Sequence, residues 1–137
     1  MKALIFDFFG VICTYVGFDN VVVLNQDLLD VIRRLKPDYK IAILSNASQD
    51  FIENALRQNG ISDLFDVVVT SSKTGFVKPQ PEIFEYILNE LQVEPSQALF
   101  IDDSSSNVAA AKELGLISIA YKGLDNLSGE FKFKKIV

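Results

Sequence analysis

The segment from Ala98 to Gly115 has the sequence ALFIDDSSSNVAAAKELG, in which an apolar run, an acidic pair and a helix-forming stretch follow one another. We predict a strand over Ala98–Ile101 and a helix from about Asn107 to Leu114, with Gly115 as its stop. Continuous apolar residues are typical of a strand that is buried on both faces of a parallel sheet. This segment therefore predicts an α/β fold with two carboxylates at the carboxyl end of a strand.

The same alternation of strand and helix recurs along the rest of the chain. It predicts a three-layer, doubly wound (Rossmann-like) domain, with a five-stranded parallel sheet covered by helices on both faces. The sequence shows no linker and no internal repeat, so residues 1–137 are expected to form one domain. The other predicted strands are Lys2–Phe6, Lys40–Leu44, Asp66–Thr70 and Ile117–Tyr121. Of the other predicted helices, one runs from about Gln26 to Leu35, one follows Ser48 as its N-cap and stops at Gly60, and one runs from near Pro81 to Leu91.

The tail, Phe131–Val137, has the sequence FKFKKIV and alternates apolar and basic residues. It is expected to form either a last edge strand, whose lysines would discourage pairing with another chain, or a packed or frayed terminus. We favour the second of these.

Composition excludes several classes of function. The chain carries 18 acidic and 13 basic residues, for a net charge of −5, which argues against non-specific nucleic-acid binding. It contains no His, and this excludes Ser-His-Asp and Cys-His mechanisms and every zinc site that uses His. Its single cysteine, Cys13, cannot form an intramolecular disulfide, which suits a reducing, cytoplasmic compartment. No signal peptide or membrane span is predicted, so no membrane partner is expected.

Polar side chains follow four of the predicted strands, at the positions where ligands bind in doubly wound sheets. Because the carboxyl ends of parallel strands meet at one edge of a sheet, we expect these side chains to lie close together. They are Asp7 after the first strand, Ser45 and Asn46 after the second, Lys78 shortly after the third, and Asp102 and Asp103 after the fourth.

These residue types suit phosphoryl transfer. The Asp7 carboxylate can attack phosphorus and form an aspartyl-phosphate. Asp7 and the acidic pair offer the hard oxygen ligands that Mg²⁺ prefers, and the metal would offset the repulsion between nucleophile and phosphate. Ser45, Asn46 and nearby backbone amides can hold phosphate oxygens, and Lys78 supplies a positive charge for the phosphate and for Asp7.

In this order the motifs resemble those of the haloacid dehalogenase superfamily of aspartate-nucleophile hydrolases, over nearly the whole chain. Asp7 matches the nucleophile, Ser45 the hydroxyl of the second motif, Lys78 in VKPQPEIF the lysine of the third, and Asp102 with Asp103 the acidic fourth motif. The resemblance implies the sheet order 3-2-1-4-5 for the five predicted strands.

The stretches SSKTGFVKPQPEIF and ALFIDDSSSNVAAAKELG are similar to the phosphatase domain of soluble epoxide hydrolases. That resemblance implies that Asp103 is the direct Mg²⁺ ligand and that Asp102 acts through water or at longer range. It also implies that the backbone carbonyl of Phe9, two residues after the nucleophile, is a ligand. Asn107 matches a position that would orient Lys78 or the metal shell.

Two features depart from the family pattern. Family phosphatases usually carry a second Asp where this chain has Phe9, and that Asp protonates the leaving alcohol and then activates water, which a phenyl ring cannot do. The usual cap domain is also missing, because the segment at about residues 10–25 has room only for a short flap and the loop from Thr70 to Lys78 is shorter still. An uncapped site suits a large phosphorylated substrate, or a partner subunit that serves as the lid.

Three functions remain open on this basis. A Mg²⁺-dependent phosphatase is preferred, and the alternative is a degenerate domain that binds phosphate, metal or a partner without turnover. A 2-haloacid dehalogenase is the third choice, since its halide-binding side chains would normally include cap residues. A response-regulator receiver is rejected, because it would need its acidic pair after the first strand. The substrate is not identified, and 49% apolar residues with 11 Phe lead us to expect a homo-oligomer.

Overall fold

The computed structural model describes residues 1–136, and these form a five-stranded parallel sheet, a two-stranded hairpin and helices on both faces of the sheet. The strands are β1 (Ala3–Phe6), β2 (Cys13–Val16), β3 (Val22–Leu24), β4 (Lys40–Ser45), β5 (Val67–Thr70), β6 (Ala98–Asp102) and β7 (Ile117–Ala120). The helices are α1 (Gln26–Leu35), α2 (Gln49–Gln58), α3 (Ser71–Thr74), α4 (Pro81–Leu91), α5 (Ser105–Glu113) and α6 (Leu124–Phe133), and short 3₁₀ helices cover Ser62–Leu64 and Pro95–Gln97.

The large sheet has the order β5-β4-β1-β6-β7, and every neighbouring pair of strands is parallel. Counted among these five strands alone, this is the order 3-2-1-4-5, so the predicted fold class and strand order are confirmed. Phe6 of β1 pairs with Ile43 of β4 and with Ile101 of β6. The residues that follow these three positions therefore meet at one edge of the sheet.

Alternate residues of the strands face two separate hydrophobic cores. Leu4 and Phe6 of β1 pack with α1, α2 and α6 in one core. Ile5 packs with α4 and α5 in the other, where the rings of Phe84 and Phe100 meet edge to face with their centroids 5.2 Å apart. A one-residue slip of a strand would exchange its two faces between the cores, so packing on both sides maintains the register that aligns the strand ends.

Side-chain caps start the two helices that lie next to the site. Ser48 accepts a hydrogen bond from the backbone N–H of Phe51 and begins α2, as predicted. Ser104 accepts one from the N–H of Asn107, so α5 begins at Ser105, earlier than the predicted start near Asn107. Both caps follow strands at the carboxyl edge of the sheet, and the free N–H groups of both first turns are therefore near that edge.

The segment between β1 and α1 forms a hairpin in place of a cap. Strands β2 and β3 pair antiparallel, and the buried side chains of Val22 and Leu24 attach the hairpin to the core beneath it. Tyr15 and Phe18 are exposed, and Phe18 is accessible over its whole side chain. The connection from β5 to Lys78 holds only α3 and a turn, so neither of these segments of the described chain contains a cap domain.

The C-terminal segment is a packed terminus, as favoured over an edge strand from the sequence, but its helical start is not predicted. The first residues of Phe131–Val137 belong to α6, which packs Leu127 and Phe131 into the core. The four-residue spacing of these two apolar side chains outweighs the local alternation of Phe and Lys. Val137 lies outside the described residues. No helix within residues 1–136 is long and apolar enough to cross a membrane.

Candidate active site

The predicted site residues all line one cleft of about 160 Å³ at the carboxyl edge of the sheet. Since a water molecule occupies about 30 Å³ in the liquid, the cleft has room for a phosphoryl group. Larger grooves lie elsewhere on the surface, but within residues 1–136 this is the one group of three carboxylates that could share a metal ion. The lining consists of Asp7, Phe9, Ser45, Asn46, Lys78, Asp102, Asp103, Ser104 and Asn107.

Lys78 lies at the centre of the buried part of this cleft. Its Nζ donates hydrogen bonds to Asp7 Oδ1 at 2.8 Å, to Asp102 Oδ2 at 2.8 Å and to the carbonyl oxygen of Leu44 at 3.0 Å. An ammonium group has three hydrogens, and all three are used. Lys78 therefore bridges two carboxylates from neighbouring strands and has no hydrogen left for a ligand in this arrangement.

Asn46 holds the backbone of Lys78 from both sides. Its Oδ1 accepts a hydrogen bond of 2.8 Å from the Lys78 N–H, and its Nδ2 donates one of 3.1 Å to the Lys78 carbonyl oxygen. The Asn46 side chain is thus engaged in positioning the lysine. Any contact between Asn46 and a phosphate oxygen would have to come from its backbone N–H.

Asp102 is fully buried and well supplied with donors. Besides Lys78, its Oδ2 accepts a hydrogen bond of 3.1 Å from Asn107 Nδ2, and its Oδ1 accepts one of 2.9 Å from the Ser104 N–H. Burial alone would raise the pKa of Asp102, but the Lys78 ammonium and these N–H donors outweigh burial and hold the pKa below its ordinary value. Asp102 is therefore ionised and fixed, and Asn107 orients it.

Asp7 directly follows β1, and its N–H donates to the carbonyl of Ile101 at 2.9 Å, which extends the sheet by one more residue. Its Oδ1 accepts hydrogen bonds from Lys78 and, at 2.8 Å, from the Phe8 N–H. Burial raises the pKa of Asp7 to about 7, and the negative charge of Asp102 adds to this, while Lys78 opposes it. One ammonium group cannot fully compensate the charge of two carboxylates. Asp7 accepts fewer hydrogen bonds than Asp102, and its pKa is the one that is raised.

Asp103 is exposed and lies against the backbone of Gly10. A Cβ atom added to Gly10 would stand 2.8 Å from the Asp103 carboxyl carbon, so a larger residue here would displace this carboxylate from its present position. Gly10 also has φ +87°, a conformation that glycine adopts without strain. Carboxylate oxygens of Asp7, Asp102 and Asp103 come within 4.8 Å of one another, a spacing at which they could bind one cation.

Ser45, the last residue of β4, is buried, and its hydroxyl has no hydrogen-bond partner among the described residues. A buried hydroxyl without a partner is costly and is therefore uncommon in folded proteins. Because Ser45 lines the cleft, an oxygen of a bound phosphate is a suitable partner for it.

Phe9 lines the cleft, and its ring packs among other aromatic rings. It packs edge to face on Phe8, with centroids 5.1 Å apart, and lies 5.9 Å from the ring of Phe51 at the start of α2. In the tight turn after Asp7 the carbonyl of Phe8 accepts backbone hydrogen bonds from Val11 and Cys13, whereas the carbonyl of Phe9 accepts none from the described backbone. The Phe9 carbonyl is thus free to bind a ligand.

Three contributions to this site were not predicted from the sequence: the role of Gly10, the Leu44 carbonyl that accepts from Lys78, and the support that Asn46 gives to the Lys78 backbone. A positive φ and a close approach leave no sequence signal beyond glycine itself. A backbone acceptor such as that of Leu44 leaves none at all.

Comparison with known proteins agrees with this geometry at the level of the class, a hydrolase built on a doubly wound α/β fold. Residues 16–115 match the family model described as haloacid dehalogenase-like hydrolase, and the chain belongs to that family. The resemblance predicted from the four motifs is thereby confirmed.

Among curated relatives, the chain is 36% identical over 107 residues to D-ribitol-5-phosphate phosphatase of Bacteroides thetaiotaomicron, which covers 74% of this chain and 51% of the relative. It is 34% identical to bifunctional epoxide hydrolase 2 of Rattus norvegicus over 59 residues, a stretch that makes up 43% of this chain and 11% of the relative. Pyrophosphatase PpaX of Bacillus cereus is 29% identical over 98 residues, which is 71% of this chain and 45% of the relative. The chain thus spans about half the length, or less, of these relatives.

Solved structures share the fold. A magnesium complex of a haloacid dehalogenase family enzyme from B. thetaiotaomicron superposes with a TM-score of 0.81 at 21% identity, covering 96% of this chain and 98% of that one. A haloacid dehalogenase superfamily hydrolase from Geobacter sulfurreducens gives a TM-score of 0.78 at 19% identity, covering 90% of each chain. At these identities the likeness shows the fold.

Asp7→Asn should change the way in which stability depends on pH in the metal-free protein. Because the pKa of Asp7 is raised from 3.8 to about 7, the folded state keeps a proton that the unfolded chain loses, so the free energy of unfolding of the wild type falls between these two pH values. Asparagine does not titrate, and the variant should gain stability relative to wild type as pH rises through that range, with no further gain above it. Urea unfolding in the presence of a chelator, from about pH 5 to pH 8, measures this. A difference that stays constant over the whole range would contradict the raised pKa.

Proposed function

We propose that this chain is a Mg²⁺-dependent phosphatase that hydrolyses phosphate monoesters through an aspartyl-phosphate on Asp7. The observation that carries the proposal is the cleft, where Asp7 contacts Lys78 and lies near two further carboxylates and the unpartnered hydroxyl of Ser45. A nucleophile, a cation, metal ligands and a phosphate-binding group thus share one small volume, as phosphoryl transfer requires. The phosphatase names of two of its relatives support the same reaction class.

Mg²⁺ fits the residues that are present, because carboxylate and carbonyl oxygens are the ligands that this ion takes. We propose Asp7, Asp103 and the Phe9 carbonyl as direct ligands. Asp102 already accepts three hydrogen bonds, so we propose that it acts through water. When bound, the ion would supply positive charge that offsets the repulsion between the Asp7 carboxylate and a phosphate dianion. The magnesium complex among the structural neighbours shows that a protein of this fold binds the ion.

Asp7 would attack phosphorus through Oδ2, because Oδ1 already accepts hydrogen bonds from Lys78 and from the Phe8 N–H. A bond forms between Oδ2 and phosphorus while the bond from phosphorus to the ester oxygen breaks, and the leaving alkoxide takes a proton from water. The Ser45 hydroxyl and the Asn46 backbone N–H would donate hydrogen bonds to phosphoryl oxygens. Lys78 would keep Asp7 oriented throughout.

In the second step, water attacks the phosphorus of the aspartyl-phosphate, which releases inorganic phosphate and restores the Asp7 carboxylate. The first step needs a proton for the leaving group, and the second step releases a proton from water. In family phosphatases one Asp usually serves as acid and then as base, and this chain has Phe9 in its place. No carboxylate in the described lining is free to substitute, since Asp102 is held by three hydrogen bonds and Asp103 is assigned to the metal. The rate should therefore depend strongly on the leaving group.

The alternative is a domain that binds phosphate or Mg²⁺ without turnover. The packing of Phe9 on Phe8 and Phe51 favours it, because an apolar residue occupies the position of the usual acid and base. A 2-haloacid dehalogenase remains the third candidate, and the segments described between β1 and α1 and between β5 and α4 offer no cap to bind a halide.

The open cleft supports a large phosphorylated substrate, whose identity the site does not define. The exposed Tyr15 and Phe18 on the β2–β3 hairpin support self-association, which stays a prediction. The absence of a nucleic-acid partner and the cytoplasmic location also stay predictions.

Asp103→Ala should abolish the stabilisation of the protein by Mg²⁺. Removing the exposed carboxylate takes away a direct ligand and leaves the buried Lys78 network intact, so the variant should fold as well as wild type in a chelator. Thermal unfolding with and without Mg²⁺ measures the effect, because a ligand that binds the folded state raises Tm. Asp38→Ala, at an exposed position in the turn before β4, is the matched control and should keep the full shift. Equal Mg²⁺ shifts in wild type and Asp103→Ala would refute this metal site.

The proposed reaction predicts Mg²⁺-dependent hydrolysis of an aryl phosphate such as p-nitrophenyl phosphate, whose leaving group needs little protonation. Asp7→Asn should lower kcat by about 10³-fold or more, because the nucleophile is lost. Release of nitrophenolate, followed by absorbance, measures the rate. If wild type and Asp7→Asn release product equally slowly while Mg²⁺ still stabilises the wild type, the non-catalytic alternative replaces the proposal.

Phe9→Asp should raise turnover of alkyl phosphates more than turnover of aryl phosphates. General acid–base catalysis contributes about 10²–10⁴-fold, and it matters most for poor leaving groups. Steady-state rates on an alkyl and an aryl phosphate, measured for both proteins, give the ratio. Phe9→Asn is the matched control, because it removes the same ring contacts without supplying an acid. An unchanged ratio in a folded Phe9→Asp protein would show that a group other than the residue at position 9 transfers the proton.

A further inference from the structure

Another groove lined by lysines runs along the outer edge of β7, which is the edge strand opposite β5 in the sheet. It has a volume of about 230 Å³ and runs between α5 and α6. Lys112 of α5, Lys122 after β7 and Lys134 after α6 all line it. In a chain with a net charge of −5, three lysines on one groove form a local positive region.

The groove also contains a buried hydroxyl without a partner. Within residues 1–136 only two buried side chains have a polar atom that lacks a hydrogen bond, and these are Ser45 and Ser118. Ser45 lines the candidate phosphate cleft together with Lys78, and Ser118 of β7 lines the lysine groove. Ser118 is 7% exposed, so bulk water is not a ready partner for it. Both unpartnered hydroxyls thus belong to residues that line a cleft together with lysine.

The outer edge of β7 adds further donors. This strand pairs with β6 on one side and has no strand on its other side in the described sheet. The Tyr121 N–H donates to the Asp102 carbonyl on the β6 side, and N–H groups alternate in direction along a strand, so those of Ser118 and Ala120 face the open edge; both residues line the groove. The one acidic residue of the groove, Glu130, lies 3.7 Å from Lys134 and offsets part of its charge. The groove therefore combines ammonium, hydroxyl and backbone donors with a net positive charge.

From this combination we infer that the groove binds a tetrahedral oxyanion, the phosphate dianion or the phosphate group of a small ester, through Lys112, Lys122, Lys134 and the Ser118 hydroxyl. Such an anion accepts several hydrogen bonds at once and would satisfy the Ser118 hydroxyl, which has no partner among residues 1–136. The inference does not depend on the proposed phosphatase activity. The competing explanation is that the lysines only protect an open strand edge against pairing with another chain.

Titration of ¹⁵N-labelled protein with inorganic phosphate tests the site, with chelator present and ionic strength matched by chloride. The amide signals of Ser118, Ile119 and Ala120 should shift and saturate with phosphate, and they should not shift with chloride. Methyl phosphate is tested on the Asp7→Asn protein. It should shift the same three amide signals if the site accepts esters, and should leave them unshifted if the site takes the free dianion alone. Inorganic phosphate should shift these signals in either case. Shifts confined to Ser45 and Asn46, or equal shifts with chloride, would overturn the inference.

Variants separate binding from edge protection. The triple change Lys112→Gln, Lys122→Gln and Lys134→Gln should weaken phosphate binding at Ser118 by about tenfold or more, because charge-assisted hydrogen bonds are lost. Lys132→Gln with Lys135→Gln is the matched control, since both lysines are exposed outside the groove, and its affinity should stay within about twofold.

Two single changes act in opposite directions. Ser118→Ala should weaken binding by about threefold through loss of one donor, and Glu130→Gln should strengthen binding. Equal affinity in the triple variant and its control would show that the groove lysines do not bind the anion and only protect the edge. Full affinity in Ser118→Ala would overturn the role assigned to the Ser118 hydroxyl.

Discussion

The buried Lys78 ammonium is the group on which the arrangement of the cleft depends. It joins the carboxylate after β1 to the carboxylate at the end of β6, and it also contacts the backbone of β4. Two unscreened carboxylates at this separation would repel each other and resist burial. Loss of Lys78 would leave both buried without a counter-ion, which is among the more destabilising changes a protein core can undergo. The same contacts that make burial tolerable also hold Asp7 in place.

Much of this arrangement could be predicted, because parallel topology converts positions in the sequence into positions in space. Once the apolar runs are assigned to strands, Asp7, Ser45 and Asp102 must fall at the carboxyl ends of three neighbours in the sheet. Helix α6 could not be predicted in the same way, since the contact of Phe131 with the core is a tertiary feature and the local alternation of Phe and Lys suggests a strand.

The details of the hydrogen bonds were beyond the sequence for a different reason. Asn46 could bind a ligand or support a neighbour, and its residue type is compatible with both. Only the fold shows that its amide lies against the backbone of Lys78, on a segment 32 residues away. Gly10 is similar, because the close approach of Asp103 depends on a turn that glycine permits but does not by itself specify.

The central claim is that Asp7 is the nucleophile, and it can be tested without a substrate. Beryllium fluoride mimics a phosphoryl group on a carboxylate, so fluorine NMR of the protein with Mg²⁺ and beryllium fluoride reports directly on an acyl-phosphate-like adduct. If Asp7 is the nucleophile, the wild type gives a bound fluorine signal that is absent from Asp7→Asn. If the wild type gives no bound signal while thermal unfolding shows that Mg²⁺ is bound, or if Asp7→Asn gives the same signal, Asp7 is not the residue that carries the phosphoryl group.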